Sequence, residues 1–279
     1  MSDEVRLTID DMAIVAPRGA TILSAAIDAG IDIPHLCYDP ALKLPPSSSC
    51  RLCLVEVEGT RSLVTACSYP VADGMVVRAD TDKLRGLRRQ VVELMLSDHP
   101  ADCMTCESNG ACALQDIAYK LGVRGDEADG SHVEPPASPS VLPQPERDGP
   151  AIVYDPAKCI LCGRCVEVCH NVQVTGAIDY LGRGFETRIS LPPGQSRDES
   201  VCVECGNCID VCPTGALAYG GAIGAGRSWE MNHVETICPY CGCGCTLVLN
   251  VSGNRIICLL YTSDAADELD GVDLGGRRI

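Results

Sequence analysis

Two stretches of this chain repeat one cysteine pattern. Cys159-Ile-Leu-Cys-Gly-Arg-Cys-Val-Glu-Val-Cys169 and Cys202-Val-Glu-Cys-Gly-Asn-Cys-Ile-Asp-Val-Cys212 both read C-x2-C-x2-C-x3-C. In that arrangement three closely spaced thiolates wrap one iron–sulfur cubane and the fourth reaches across to a second. Cys159, Cys162, Cys165 and Cys212 are therefore assigned to one [4Fe-4S] cluster, and Cys202, Cys205, Cys208 and Cys169 to its neighbour. Pro213 follows the second set as the motif expects, while His170 stands in that place in the first. Zinc is the competing reading, but zinc sites pair two C-x2-C knuckles and do not run four cysteines together.

Three further sets are less self-sufficient. Cys37, Cys50, Cys53 and Cys67 put three thiolates on one loop and a fourth at a distance, enough to enclose a [2Fe-2S] rhomb. Their spacing differs from the plant-type C-x4-C-x2-C, so structural zinc or free buried thiols stay open on spacing alone. His99, Cys103, Cys106 and Cys112 follow a helical pattern and suit either a histidine-ligated [4Fe-4S] cluster or a zinc site of three cysteines and one histidine about equally. An imidazole in place of a thiolate would make the cluster less negative and raise its potential. Cys238, Cys241 and Cys245 supply three ligands of a further [4Fe-4S] site whose fourth ligand is expected downstream. Of the 20 cysteines these sets leave only Cys243 and Cys258. His35, His132 and His233 read as surface residues.

The elements that must hold these residues follow from local pattern. Val5, Leu7 and Ile9 alternate, Asp10-Asp11 turns the chain, and a second strand starts at Met12. Thr21 caps a short helix ending at Gly30. Strands are expected over 54–58, 63–66 and 75–79, and a helix over 82–96 that stops at Asp98-His99-Pro100. The expected class is α+β. It comprises a β-grasp [2Fe-2S] domain (1–80), a small helical segment with one histidine and three cysteines for a [4Fe-4S] cluster (81–121), a Pro- and Gly-rich linker (122–150) and a pseudo-twofold 2[4Fe-4S] ferredoxin domain (151–220). A second linker (221–232) leads to the start of a larger domain, a molybdopterin oxidoreductase domain by the resemblance given below, at 233–257. Gly220 to Gly226 does not match the dinucleotide fingerprint and is given no cofactor.

Composition narrows the class. A formal charge of −16 argues against nucleic-acid binding, which needs a basic surface. No apolar run approaches the length of a bilayer span, so membrane insertion is not expected. Dense cysteine without a signal peptide at Met1-Ser2-Asp3-Glu4 points to the reducing cytoplasm. Lys158, Arg164 and Arg51 stand where they would balance cluster charge, though each reads first as a solvated surface residue. Few aromatic residues mean that clusters organise much of the fold. Residues 258–279 resemble an in-frame translation of a sequencing-library adapter. They are set aside, so natural sequence is expected to stop at Ile257 and Cys258 to be no ligand.

Cys50-Arg-Leu-Cys-Leu-Val-Glu-Val-Glu-Gly59, His99-Pro-Ala-Asp-Cys-Met-Thr-Cys106 and Cys159-Ile-Leu-Cys-Gly-Arg-Cys165, in this order, resemble the N-terminal half of one family. It includes the large iron–sulfur subunit of NADH:quinone oxidoreductase, [FeFe]-hydrogenases with long accessory domains, and the alpha subunit of NAD-dependent molybdenum formate dehydrogenase. The resemblance covers nearly all of residues 1–257 and supports the [2Fe-2S] and His-ligated assignments. Cys238-Pro-Tyr-Cys-Gly-Cys-Gly-Cys245 is similar to the motif that opens the molybdopterin domain of formate dehydrogenases, with Cys243 where valine is usual. Ser47-Ser-Ser49 departs from the family's Gly-containing loop, a change serine hydroxyls are expected to tolerate. The resemblance implies formate oxidation to carbon dioxide at a molybdopterin guanine dinucleotide carrying Mo or W in a domain absent here. It also implies a flavin-containing, NADH-binding diaphorase partner and a small 2Fe-2S subunit. No residue here is expected to be catalytic. The competing expectation is a non-catalytic electron-transfer subunit of a NADH dehydrogenase or hydrogenase diaphorase module, and the blandest is a zinc-stabilised scaffold.

Overall fold

The computed structural model describes residues 4–261 apart from 43, 101, 124–150, 240, 241 and 243. The 122–150 linker reading therefore falls almost wholly outside the described residues, as do 262–279. The chain forms two compact units, Met1–His99 with Ala113–Ala137 and Pro100–Cys112 with Ser138–Ile279.

In the first unit, β1 (Glu4–Ile9) and β2 (Met12–Pro17) pair antiparallel. Val5, Leu7 and Ile9 point into the core, as alternation along a strand requires. Asp10 and Asp11 both take positive φ (46° and 67°), the backbone of a tight two-residue hairpin turn, which aspartate tolerates. Asp10 also accepts the Ala79 amide at 2.7 Å, fastening the turn to the far end of the sheet. Helix α1 (Ile22–Asp28) starts at Thr21, whose hydroxyl accepts the Ser24 amide at 3.1 Å, and Gly30 (φ 75°) ends the turn after it. Strands β3 (Leu54–Val57), β4 (Val64–Thr65) and β5 (Met75–Arg78) complete a sheet ordered β2-β1-β5-β3-β4, with β1 and β5 parallel. These are the elements of the β-grasp reading. Ile22, Leu23, Ala25 and Ala26 of α1 share one apolar core with Val5, Leu7, Ile9, Val55 and Val77. Each such fully buried aliphatic contributes about 1.5–3 kcal/mol. Helix α2 (Asp82–Ser97), capped by Thr81, and α3 (Ala113–Lys120) finish the unit.

In the second unit, β6 (Ile152–Tyr154) leads to the first cysteine motif and to α4 (Arg164–Asn171). Strands β7 (Asp179–Leu181) and β8 (Arg188–Ser190) form a hairpin, and α5 (Asn207–Asp210) and β9 (Leu217–Tyr219) follow the second motif. β6 and β9 pair antiparallel and draw the two halves together. Both helices begin after a left-handed glycine, Gly163 (φ 79°) and Gly206 (φ 80°), so the repeat is structural as well as sequential. β10 (Asn232–Ile237), β11 (Thr246–Ser252) and β12 (Arg255–Tyr261) make an antiparallel sheet. β12 thus runs past Ile257 and takes in residues 258–261, which the sequence reading set aside. The stretch read as a second linker carries two short 3-10 turns, Gly220–Ala222 and Ser228–Glu230. Among the described residues no helix is long and apolar enough to cross a membrane.

Candidate metal centres

The cysteines described are free thiols, and they gather into the sets that spacing indicated. In the first unit Cys37, Cys50, Cys53 and Cys67 are at most 4% exposed. Their sulfurs are in mutual contact: the Cys50 thiol and then that of Cys67 hydrogen-bond Cys37 and push its pKa down, and Cys67 does the same to Cys53. The counterparts, Cys50 and Cys67, are pushed up. Four buried sulfurs sharing protons in this way would be four thiolates if iron replaced the protons. The backbone is shaped around them. Ser48 (φ 55°) and Arg51 (φ 56°) take left-handed conformations, and the Leu36 amide points at Cys50 Sγ from 3.5 Å. In the serine loop the Ser48 hydroxyl lies 3.4 Å from Cys67 Sγ, while Ser47 and Ser49 bond each other at 3.0 Å.

The ferredoxin-like quartets are also assembled. Cys159, Cys162, Cys165 and Cys212 line one cavity with Tyr154, Ile189, Pro213 and Leu217. Burial pushes Cys162 up to about 12 and Cys165 and Cys159 upward too, so thiolates there need a cationic core to exist. Around the second site burial likewise pushes Cys208 up to about 12, followed by the charges of Cys205, Cys202 and Cys169. Leu161 (φ 53°) and Glu204 (φ 50°), the residues before the second cysteine of each motif, are both left-handed, which bends each C-x2-C around its site. Amides are aimed at sulfur from Leu161 to Cys159 (3.5 Å) and from Ala177 to Cys169 (3.2 Å), as iron-bound thiolates require. Among the described residues no three His, Cys, Asp or Glu side chains meet closely enough to hold a single ion. The quartets enclose a space and do not converge on a point, which favours a cluster over zinc.

The third set divides between units: His99 closes the first, and Cys103, Cys106 and Cys112 lie in the second. Within the second unit Cys112 is buried and its thiol donates to the Pro213 carbonyl at 3.6 Å, one residue from Cys212. Gly215 faces Cys106 Sγ, where an added Cβ would lie only 2.9 Å away. The Cys103–Cys112 loop is thus seated on the Cys212 turn. Burial raises the Cys106 pKa. Sequence reasoning missed what clamps this loop. Arg227 donates to the carbonyls of Cys106 and Met104, and the Trp229 ring packs against Gly110 (φ 80°), where a Cβ would clash. Both residues come from the supposed linker, and glycine richness hid them. Lys158 is no solvated surface residue: its side chain is 12% exposed and pairs with Asp155 (3.4 Å) and Glu107 (3.9 Å). Arg51 is exposed and Arg164 half-buried.

In the last set Cys238 and Cys245 are both buried beside Leu247, and the Cys238 amide donates to the Cys245 carbonyl at 2.8 Å, closing the β10–β11 hairpin. Cys241 and Cys243 lie outside the described residues. Cys258 accepts from Asn250 Nδ2 at 3.1 Å. His35 is half-buried, its ring bonded to the Ile33 carbonyl; His233 pairs with Asn250; His132 lies outside the described residues.

Four family descriptions match successive parts of the chain. Residues 2–82 match a 2Fe-2S iron-sulfur cluster binding domain, and 88–126 the NADH-ubiquinone oxidoreductase-G iron-sulfur binding region. Residues 149–218 match the ferredoxin-like domain of NADH-quinone oxidoreductase subunit 3, and 231–267 the molybdopterin oxidoreductase Fe4S4 domain. NADPH-Fe(3+) oxidoreductase subunit alpha of Geobacter sulfurreducens is 38% identical over 90% of this chain and 28% of its own. A large iron–sulfur (G-type) subunit of NADH-quinone oxidoreductase from Rhizobium meliloti is 37% identical over 88% of this chain and 27% of its own. NADP-reducing hydrogenase subunit HndD of Solidesulfovibrio fructosivorans is 42% identical over 76% and 35%. The chain spans only about a third or less of the length of these curated relatives. A chain from the crystal structure of a NAD+-reducing [NiFe]-hydrogenase in the H2-reduced state superposes with a TM-score of 0.68 at 30% identity, covering 77% of this chain and 87% of that one.

Proposed function

The chain belongs to the family of iron–sulfur electron-transfer proteins typified by the large, G-type subunit of NADH-quinone oxidoreductase, and from that premise we propose that it conducts electrons between a flavin-bearing nicotinamide partner and a terminal redox site. The observation that carries this reading is the assembly of separate buried cysteine quartets without a disulfide among the described residues. Bound iron–sulfur clusters supply one-electron storage at each quartet. The chain's own residues hold them: Cys37, Cys50, Cys53 and Cys67 for a [2Fe-2S] cluster, and Cys159, Cys162, Cys165 and Cys212 with Cys202, Cys205, Cys208 and Cys169 for two [4Fe-4S] clusters. His99, Cys103, Cys106 and Cys112 would hold a third [4Fe-4S], and Cys238, Cys241 and Cys245 part of a fourth. Amide and hydroxyl donors steady the sulfurs, and apolar walls exclude water. The proposed compartment is the reducing cytoplasm.

The terminal reaction is the finer proposal. Formate oxidation at a molybdopterin guanine dinucleotide is supported by Cys238-Pro-Tyr-Cys-Gly-Cys-Gly-Cys245 and by the match of 231–267 to a molybdopterin oxidoreductase Fe4S4 domain. A second reading, a wire within a NADH dehydrogenase or hydrogenase diaphorase with no formate chemistry, is supported by the names of the relatives. The intact protein, anaerobic and oxidised, separates them. Under the first reading formate bleaches its visible absorbance and, with a diaphorase partner and a small 2Fe-2S subunit added, reduces NAD+. Under the second, NADH bleaches it and formate does nothing.

A further inference from the structure

The two cysteine motifs of the ferredoxin-like halves match in ligand type and spacing, so ligation alone gives their clusters no reason to differ. Their surroundings do. Five residues before Cys159 stands Tyr154; five residues before Cys202 stands Arg197. Tyr154 is buried. Its hydroxyl accepts the Ile189 amide at 3.3 Å and hydrogen-bonds the Cys159 sulfur. Arg197 is 7% exposed, its Nη1 lies 3.7 Å from Cys202 Sγ, and its Nε is buried with no hydrogen-bond partner among the described residues. One place in the repeat is thus filled by a neutral phenol in one half and by a buried guanidinium in the other.

A cation withdrawn from water is costly unless negative charge stands beside it, and the group Arg197 faces is a thiolate of the second quartet. One-electron reduction makes that cluster more negative, with no proton taken up and no bond made or broken. The guanidinium stabilises the reduced form more than the oxidised one. Two other cations act on the first half. Arg164, between Cys162 and Cys165, has Asn207 as its counterpart, but it is half-exposed and screened by solvent. Lys158 is offset by Asp155 and Glu107. We propose that Arg197 makes the cluster held by Cys202, Cys205, Cys208 and Cys169 the higher-potential member of the pair, so that an electron entering the pair comes to rest there. This rests on the reading that both quartets hold [4Fe-4S] clusters.

The test is a redox titration followed by electron paramagnetic resonance on the full chain loaded anaerobically with iron and sulfide. Cys202→Ser marks which signal belongs to the second quartet. In the wild type that signal is expected to titrate at the higher potential. Arg197→Gln is expected to shift its electron occupancy at fixed potential at least tenfold, 59 mV for a one-electron couple, leaving the other signal in place. Arg197→Lys is expected to restore most of the difference, which a merely structural role would not do. A wild-type order with the second quartet lower overturns the proposal even if no variant assembles. So does an Arg197→Gln protein with full iron and sulfide and unmoved potentials. Failure of the wild type to take up iron and sulfide at both quartets would instead remove the cluster reading itself.

Discussion

Ser48 shows how a single hydroxyl can serve geometry and electronics together. Its φ of 55° belongs to the left-handed region, which costs a non-glycine residue about 1–2 kcal/mol, and its Oγ sits 3.4 Å from Cys67 Sγ. The strain and the sulfur contact are two ends of one side chain, so substitution separates them. Ser48→Gly is expected to keep the fold and to gain stability of up to about 1 kcal/mol in urea titrations of the loaded chain. It should lower the potential of the [2Fe-2S] site by on the order of 40 mV, the equivalent of about 1 kcal/mol for one lost hydrogen bond. An unchanged potential with intact cluster would mean that the hydroxyl bonds elsewhere when iron is present. The sequence reading anticipated that serine would serve here through its hydroxyl, but it looked to the loop itself. The bond to Cys67, nineteen residues away, has no local signature.

At the level of elements, α2 is tied to the [2Fe-2S] loop by one residue. Arg88 is 3% exposed, donates from Nε to the Leu52 carbonyl at 3.0 Å and from Nη2 to the Leu54 carbonyl at 2.9 Å, and so brackets Cys53. Burial pulls its pKa down, yet a guanidinium remains charged at any ordinary pH. Arg88→Met would leave two buried carbonyls unpaired and is expected to destabilise the first unit by about 2–4 kcal/mol, measured by denaturant unfolding; Arg88→Lys, able to reach one carbonyl, should lose less. The elements themselves were readable. Alternation at Val5, Leu7 and Ile9, the Thr21 cap and the Asp98-His99-Pro100 stop are local patterns, and they mark β1, α1 and the end of α2 to within two residues. The ferredoxin-like quartets were readable for the same reason, since eleven consecutive residues carry all but one ligand of each site. Arg88 reads in sequence as a polar position on an amphipathic helix, and Arg227 and Trp229 as parts of a glycine-rich linker. The partners of Arg88 and Arg227 lie 34 to 123 residues away, a separation no periodicity encodes.

For the molecule as a whole, the two units draw their stability from different sources. The first has an aliphatic core of its own, with Val5, Leu7, Ile9, Ile22, Leu23 and Val55 all at most 3% exposed. Several such residues at about 1.5–3 kcal/mol each make a core that does not depend on iron. In the second unit the interior is built largely of sulfur: Cys112, Cys162, Cys165, Cys238 and Cys245 stand among its buried residues, joined by short strands of three residues and a four-residue helix. Elements that short are not stable by themselves, so bound clusters there are expected to supply folding free energy. Iron chelation under reducing conditions should therefore unfold the molecule in two stages. Hydrogen exchange is expected to find the amides of β1, β3 and β5 still protected after iron is removed, while those of α4, α5, β6 and β9 exchange freely. The first unit should then unfold in urea as a separate transition. Simultaneous loss of protection in both units would mean that the [2Fe-2S] site, and not the aliphatic core, holds the sheet together.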